Sequence, residues 1–172
     1  MKKIFVLIAL LLLAACAPKP TIGPLGGIHT HAGFKVYIDG KAIDFENMEY
    51  MVRAKYVHIE DMDGDVLHVH ATGVTIGEFF RTLGMTFNDR CFVKDNKEYC
   101  TDPYDGADAI GKSLKFYVNG EPNAMFGDYL TGDGDKVLIS YGMVIENVTA
   151  QLASVTDKAR AISGLDRQMD LS

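Results

Sequence analysis

The sequence predicts an α+β domain: a mixed sheet assembled from hairpins, with one short helix across one face and a second helix near the C-terminus. Three observations predict it. The dipeptides Asp39-Gly40, Asp95-Asn96 and Asn119-Gly120 are two-residue turn signals, each set between runs of strand-forming residues. Thr75 and Glu78 are spaced as a capping box at the head of an apolar run. Val148, Leu152, Val155, Ala159 and Ile162 recur at spacings of four, three, four and three, a helical stripe. A chain of 172 residues with 48% hydrophobic composition suffices for one such core plus appendages.

The elements follow in order. Lys2 and Lys3 precede an unbroken apolar run, Ile4 to Ala15, which is too short for a stable membrane span and ends in Leu13-Ala14-Ala15-Cys16. Residues 1–15 therefore read as a signal peptide. Leu-Ala-Ala-Cys resembles the lipobox of prokaryotic lipoproteins, which implies cleavage before Cys16, lipidation of its sulfur and attachment to a membrane outside the cytoplasm. Without Lys2 and Lys3 the 17 basic residues fall to 15 against 23 acidic, a net charge of −8. That balance, with no Lys/Arg cluster, argues against a nucleic-acid partner. The segment Ala17 to Gly27, rich in proline and glycine, reads as a tether following the anchor (16–27), ahead of a domain over 28–143 and a C-terminal helix and tail over 144–172.

Within the domain, the Asp39-Gly40 turn pairs Ile38 with Lys41, Val36 with Ile43 and Phe34 with Phe45, all on one apolar face. Lys35 opposite Asp44 and Tyr37 opposite Ala42 lie on the other face, which is expected to meet water. Met62-Asp63-Gly64 reads as a three-residue hairpin loop with its glycine in the left-handed region. The same stretch, Asp61 to Asp65, superficially resembles a calcium loop, but its glycine comes too early and no later glutamate closes it. Helix Ile76 to Leu83 follows, stapled by Val74 and Phe79 and stopped at Gly84, with Ile76, Phe79, Phe80 and Leu83 on the sheet. In "CFVKDNKEYC" the Asp95-Asn96 turn sets Cys91 opposite Cys100 at a non-hydrogen-bonded position, where a disulfide spans the strands. The stripe of apolar residues predicts a continuous helix from about Asn147 to Ser163, ending at Gly164, either packed on the domain or docked on a protein partner.

The closing segment Leu114 to Gly142, with "FYVNG" followed by "YLTGDGDKVLISYG", resembles the last strands of the extracytoplasmic family related to the transcobalamin C-terminal domain. That resemblance implies a β-grasp-like sheet. With no tryptophan to form an aromatic ligand shelf, it implies no ligand.

All five histidines fall between Ile28 and Ala71. The hairpin register sets His58 opposite His68 and Tyr56 opposite His70, so alternation sends Val57, Ile59, Leu67 and Val69 to the core. His58, His68 and His70 then share the opposite face with Glu60, and parity places His29 and His31 there too. A His-x-His strand completed by a histidine from its neighbour is similar to the zinc site of α-type carbonic anhydrases. Imidazole nitrogen suits Zn or Cu. The leading expectation is a metal-binding lipoprotein that uses His58, His68 and His70, with His29, His31 and Glu60 contributing. A non-catalytic interaction module is the alternative. A zinc hydrolase or hydratase ranks third, since Glu60 is the only candidate general base and no nucleophile constellation exists.

Overall fold

The computed structural model describes residues 20–103 and 111–165. The signal peptide and Cys16 lie outside the described residues. The strands are β1 (Thr30–Ile38), β2 (Lys41–Ala42), β3 (Val57–His58) and β4 (Val66–Val69); helix α1 (Ile76–Thr82) comes next. Then follow β5 (Thr86–Phe87), β6 (Cys91–Lys94), β7 (Lys97–Cys100), β8 (Lys112–Val118), β9 (Glu121–Pro122), β10 (Asp135–Met143), α2 (Thr149–Ser154) and α3 (Lys158–Ile162).

The main sheet runs β3-β4-β1-β10-β8-β9, with β2 beside the end of β1. At its centre β1 and β10 are parallel, from Ala32 opposite Asp135 to Ile38 opposite Tyr141, and every other pairing in the sheet is antiparallel. Strands β5, β6 and β7 form a second, antiparallel sheet. Cys91 and Cys100 are bonded across β6 and β7, with Cα atoms 4.1 Å apart, in the register expected from the Asp95-Asn96 turn. Both turn residues are left-handed, as that two-residue turn requires.

Two apolar layers sandwich the main sheet. Phe34, Val36, Val57, Leu67, Val69, Phe116, Val137 and Ile139 face α1, whose Ile76, Phe79 and Phe80 are fully buried. The Thr75 hydroxyl caps that helix by accepting from the Glu78 N–H, and Gly84 ends it at φ +76. Leu138, Tyr37 and Tyr117 form a smaller cluster on the second face with Val148, Leu152 and Val155.

The second face is therefore not open to water, as the sequence had suggested. The C-terminal segment covers it. That segment is also not one helix: it breaks at Val155, whose backbone turns extended, so that Val155 and the Thr156 carbonyl can lie against the sheet at Gly33. A Cβ at Gly33 would stand 3.0 Å from that carbonyl. The run Ser154-Val155-Thr156-Asp157 combines a β-branched pair with two residues that compete for backbone hydrogen bonds, so a bend there costs little helix energy.

Two further expectations change. The first hairpin is cut short at Ala42: Ile43 still donates to the Val36 carbonyl, and Phe45 still packs on Phe34 at 5.2 Å, but β4 takes the edge of β1 at residues 30–33. Lys35 consequently pairs with Asp65 rather than Asp44. In the second hairpin, Asp61 and Met62 take the left-handed conformation, not Gly64. Gly64 is needed for closeness, since a Cβ there would lie 2.6 Å from the Phe45–Glu46 backbone. The acids of this turn are engaged by lysines: Asp63 and Asp65 both meet Lys158, and Asp65 meets Lys35.

Candidate metal centre

The placement of β4 between β3 and β1 brings the histidines together. His31 stands opposite His68, and His68 opposite His58, so three strands contribute one continuous cross-strand row. One step along the strands, His29 and His70 extend the same face. The five rings close on one another, with centroids 4.8 Å apart for His31–His29, 4.6 Å for His29–His70, 4.9 Å for His70–His58, 5.9 Å for His58–His68 and 4.7 Å for His68–His31.

Of these, His29, His31 and His68 each offer one ligand atom within 4.8 Å of the other two. Donors sharing a tetrahedral ion at 2.0–2.1 Å stand about 3.4 Å apart, so an ion would draw these rings inward by roughly an ångström. The sequence had placed His68 with His58 and His70 and treated His29 and His31 as additions. The structure sets His68 between both groups, because it lies on the middle strand.

Burial separates the ligands further. His31, His58 and His68 are 7%, 7% and 8% exposed, whereas His29 lies at the surface and opens the group to solvent. Burial holds the His31 imidazole below its ordinary range, and the nearby His29 pushes the same way. Burial also pushes His68 down to about 4, against the opposing pull of Glu60. His70 is lowered by burial and by His58. At neutral pH these rings are neutral and keep a lone pair for a metal.

Hydrogen bonds orient the rings. The His31 Nδ1 lies 2.8 Å from the Ser163 hydroxyl, which itself donates to Asp133. Ser163 is thus the acceptor, Nδ1 carries the proton, and Nε2 keeps the lone pair. Asp133 also accepts from the His31 backbone N–H at 2.9 Å. Such hydrogen-bonded partners behind the ligating imidazole are usual in metal sites. The His58 Nδ1 likewise donates to the Ala54 carbonyl at 2.9 Å. Glu60 spans two histidines, with Oε2 at 3.2 Å from His58 Nε2 and Oε1 at 3.4 Å from His68 Nδ1. The second contact lacks hydrogen-bond geometry, and His68 Nδ1 is a buried nitrogen without a hydrogen-bond partner.

Sequence reasoning missed Ser163 and Asp133. They sit 132 and 102 positions from His31, and local patterning carries no trace of that proximity. The proline- and glycine-rich segment also ends on the site: Gly23 donates to the Thr72 carbonyl and Gly26 to that of His70, so its described part lies along the domain. A groove of about 850 Å³ exists elsewhere, beside α1 and lined by Glu78, Arg81, Phe87 and Met125. Among the described residues it holds no group of three convergent metal ligands, so the chemistry points to the histidines rather than to this groove. Among the described residues no helix is long and apolar enough to cross a membrane. Comparison with protein families, curated proteins and solved structures found no match to this chain.

Proposed function

We propose that this protein is a membrane-anchored, extracytoplasmic lipoprotein that binds Zn or Cu through its histidine cluster. The observation carrying this reading is the approach of His29, His31 and His68 within 4.8 Å. Three observations support it: the neutral state that burial gives His31 and His68, the Ser163–Asp133 partner of His31, and the unpartnered nitrogen of His68. A structural role for these histidines alone would leave a buried, unsatisfied nitrogen at a cost of about 1–3 kcal/mol.

Anchoring rests on the Leu13-Ala14-Ala15-Cys16 motif, and the Cys91–Cys100 disulfide is compatible with an oxidising compartment. Gly23 and Gly26, seven and ten positions after Cys16, donate to the Thr72 and His70 carbonyls, so an anchored protein would hold its histidines within a short length of chain from the lipid. The role is sequestration, delivery or sensing of the ion. Isothermal titration of tag-free protein with Zn²⁺ and with Cu²⁺ tests the reading. We expect saturable binding that His31→Ala and His68→Ala each weaken at least tenfold. Binding no tighter than about 10 μM, or unchanged in both variants, would refute it, and circular dichroism of each apo variant checks that it folds.

A further inference from the structure

We infer that the C-terminal segment 149–163 is a strap over the second sheet face, closed while the histidine centre holds its ion and loosened when the centre is empty. This regulation of the site rests on the metal-binding reading above. The strap and the histidines share one face. His31, Lys35 and Tyr37 alternate onto the side of β1 that the strap covers, where Val155 and the Thr156 carbonyl lie against Gly33. Helix α3 packs across β1 and β4, the strands that carry His31 and His68.

Three features leave the closed strap only weakly favoured. Its helices, of six and five residues, are too short to persist without packing. The packing is thin, since the apolar cluster beneath the strap buries Leu138, Val148 and Val155 while Ile162 stays 52% exposed. Ser140 Oγ, Glu146 Oε2, Gln151 Oε1 and Thr156 Oγ1, in the strap, at its root or beneath it, are buried without a hydrogen-bond partner, and opening would return each to water. What ties the strap down is therefore decisive. The Tyr37 hydroxyl donates to Ser154 at 2.8 Å, and Lys136–Asp157 and Lys158–Asp63 are ion pairs with exposed members that solvent weakens. The remaining tie runs through a metal ligand: Ser163 Oγ lies 2.8 Å from His31 Nδ1 and donates to Asp133, which also accepts from the His31 backbone N–H. An ion on His31 stops the ring from turning about its side-chain torsions and so holds Nδ1 on Ser163. An empty centre leaves the ring to turn, and the tie is made for less of the time. Such coupling is reciprocal, so the factor by which the latched strap strengthens Zn²⁺ is the factor by which Zn²⁺ suppresses opening, here roughly tenfold.

Amide hydrogen exchange of tag-free protein, with saturating Zn²⁺ and with a chelator at one pH, measures the opening, and calorimetry of the same samples measures the binding. The amides of Leu152, Val155, Ala161 and Ser163, which are bonded within the strap, should exchange about tenfold more slowly with Zn²⁺, and those of β6 and β7 should change much less. In Ser163→Ala the strap should exchange fast and hardly respond to Zn²⁺ that still binds, while Ser163→Thr, which keeps the hydroxyl, should restore the response. Zn²⁺ binding that leaves strap exchange unchanged, that slows every amide alike, or that protects the strap of Ser163→Ala as fully as that of the wild type overturns the strap and leaves the metal site standing. No calorimetric binding of Zn²⁺ by the wild type removes both readings.

Discussion

Acidification should destabilise the metal-free protein through His68, and by an amount the structure sets. The imidazole titrates near 6.5 in an unfolded chain and at about 4 in the folded one, where burial penalises the charged form. Between these values the unfolded state binds a proton that the folded state refuses. Stability attributable to this group is therefore constant above pH 6.5, falls as pH drops from 6.5 to 4, and is constant again below 4. The gap corresponds to about 3 kcal/mol. His31 and His70, also lowered, act in the same direction. Urea unfolding in the presence of a chelator, at intervals from pH 7.5 to 4, measures the loss. Carboxylates also titrate in this range, so the comparison is with His68→Gln, in which their contribution is retained. The wild type should lose about 3 kcal/mol more than the variant over the interval. Parallel curves, or a steeper loss in the variant, would refute burial of a neutral His68. Lowered in the same direction, His31 and His68 compete less with protons for the metal.

Ser163→Ala removes the acceptor behind His31 without touching a ligand, and titration calorimetry should show Zn²⁺ affinity reduced about tenfold. Reducing the Cys91–Cys100 bridge, which closes a loop of about ten residues, should cost about 2.7 kcal/mol in the chain-entropy view and lower the melting temperature, with metal affinity unchanged because β6 and β7 belong to the other sheet. Gly64→Ala drives a Cβ into the Phe45–Glu46 backbone at 2.6 Å, so denaturant melts should report a loss of about 1–3 kcal/mol. Cys16→Ser should shift the protein from membranes to the soluble extracytoplasmic fraction or leave it uncleaved; mature protein still partitioning with membranes would contradict the lipid anchor.

Much of the local structure was legible because local chemistry determines it. Asp95-Asn96 and Asn119-Gly120 specify tight turns through residues that tolerate positive φ, and a two-residue turn fixes the register of its flanking strands, hence the Cys91–Cys100 pairing. Thr75 signals a helix start by satisfying an amide within three residues. His58 also falls opposite His68 as expected, although the turn joining their strands places Asp61 and Met62, not Gly64, in the left-handed region. Less legible was the break at Val155, since the apolar stripe continues past it and contact with Gly33, 122 positions away, turns the chain.

By itself, then, the sequence determined the α+β class, the hairpin partners, the disulfide and the common face of the five histidines, because each follows from pairs of residues near in the chain. Only the tertiary structure decided that β4 lies against β1. That single adjacency sets His31 beside His68, while the C-terminal segment buries the face and supplies Ser163. Strand order is chosen by which apolar surfaces bury best together, a property of the whole core that period-two alternation leaves open. The histidines could be assigned a side from sequence, and only the packed sheet gave them neighbours.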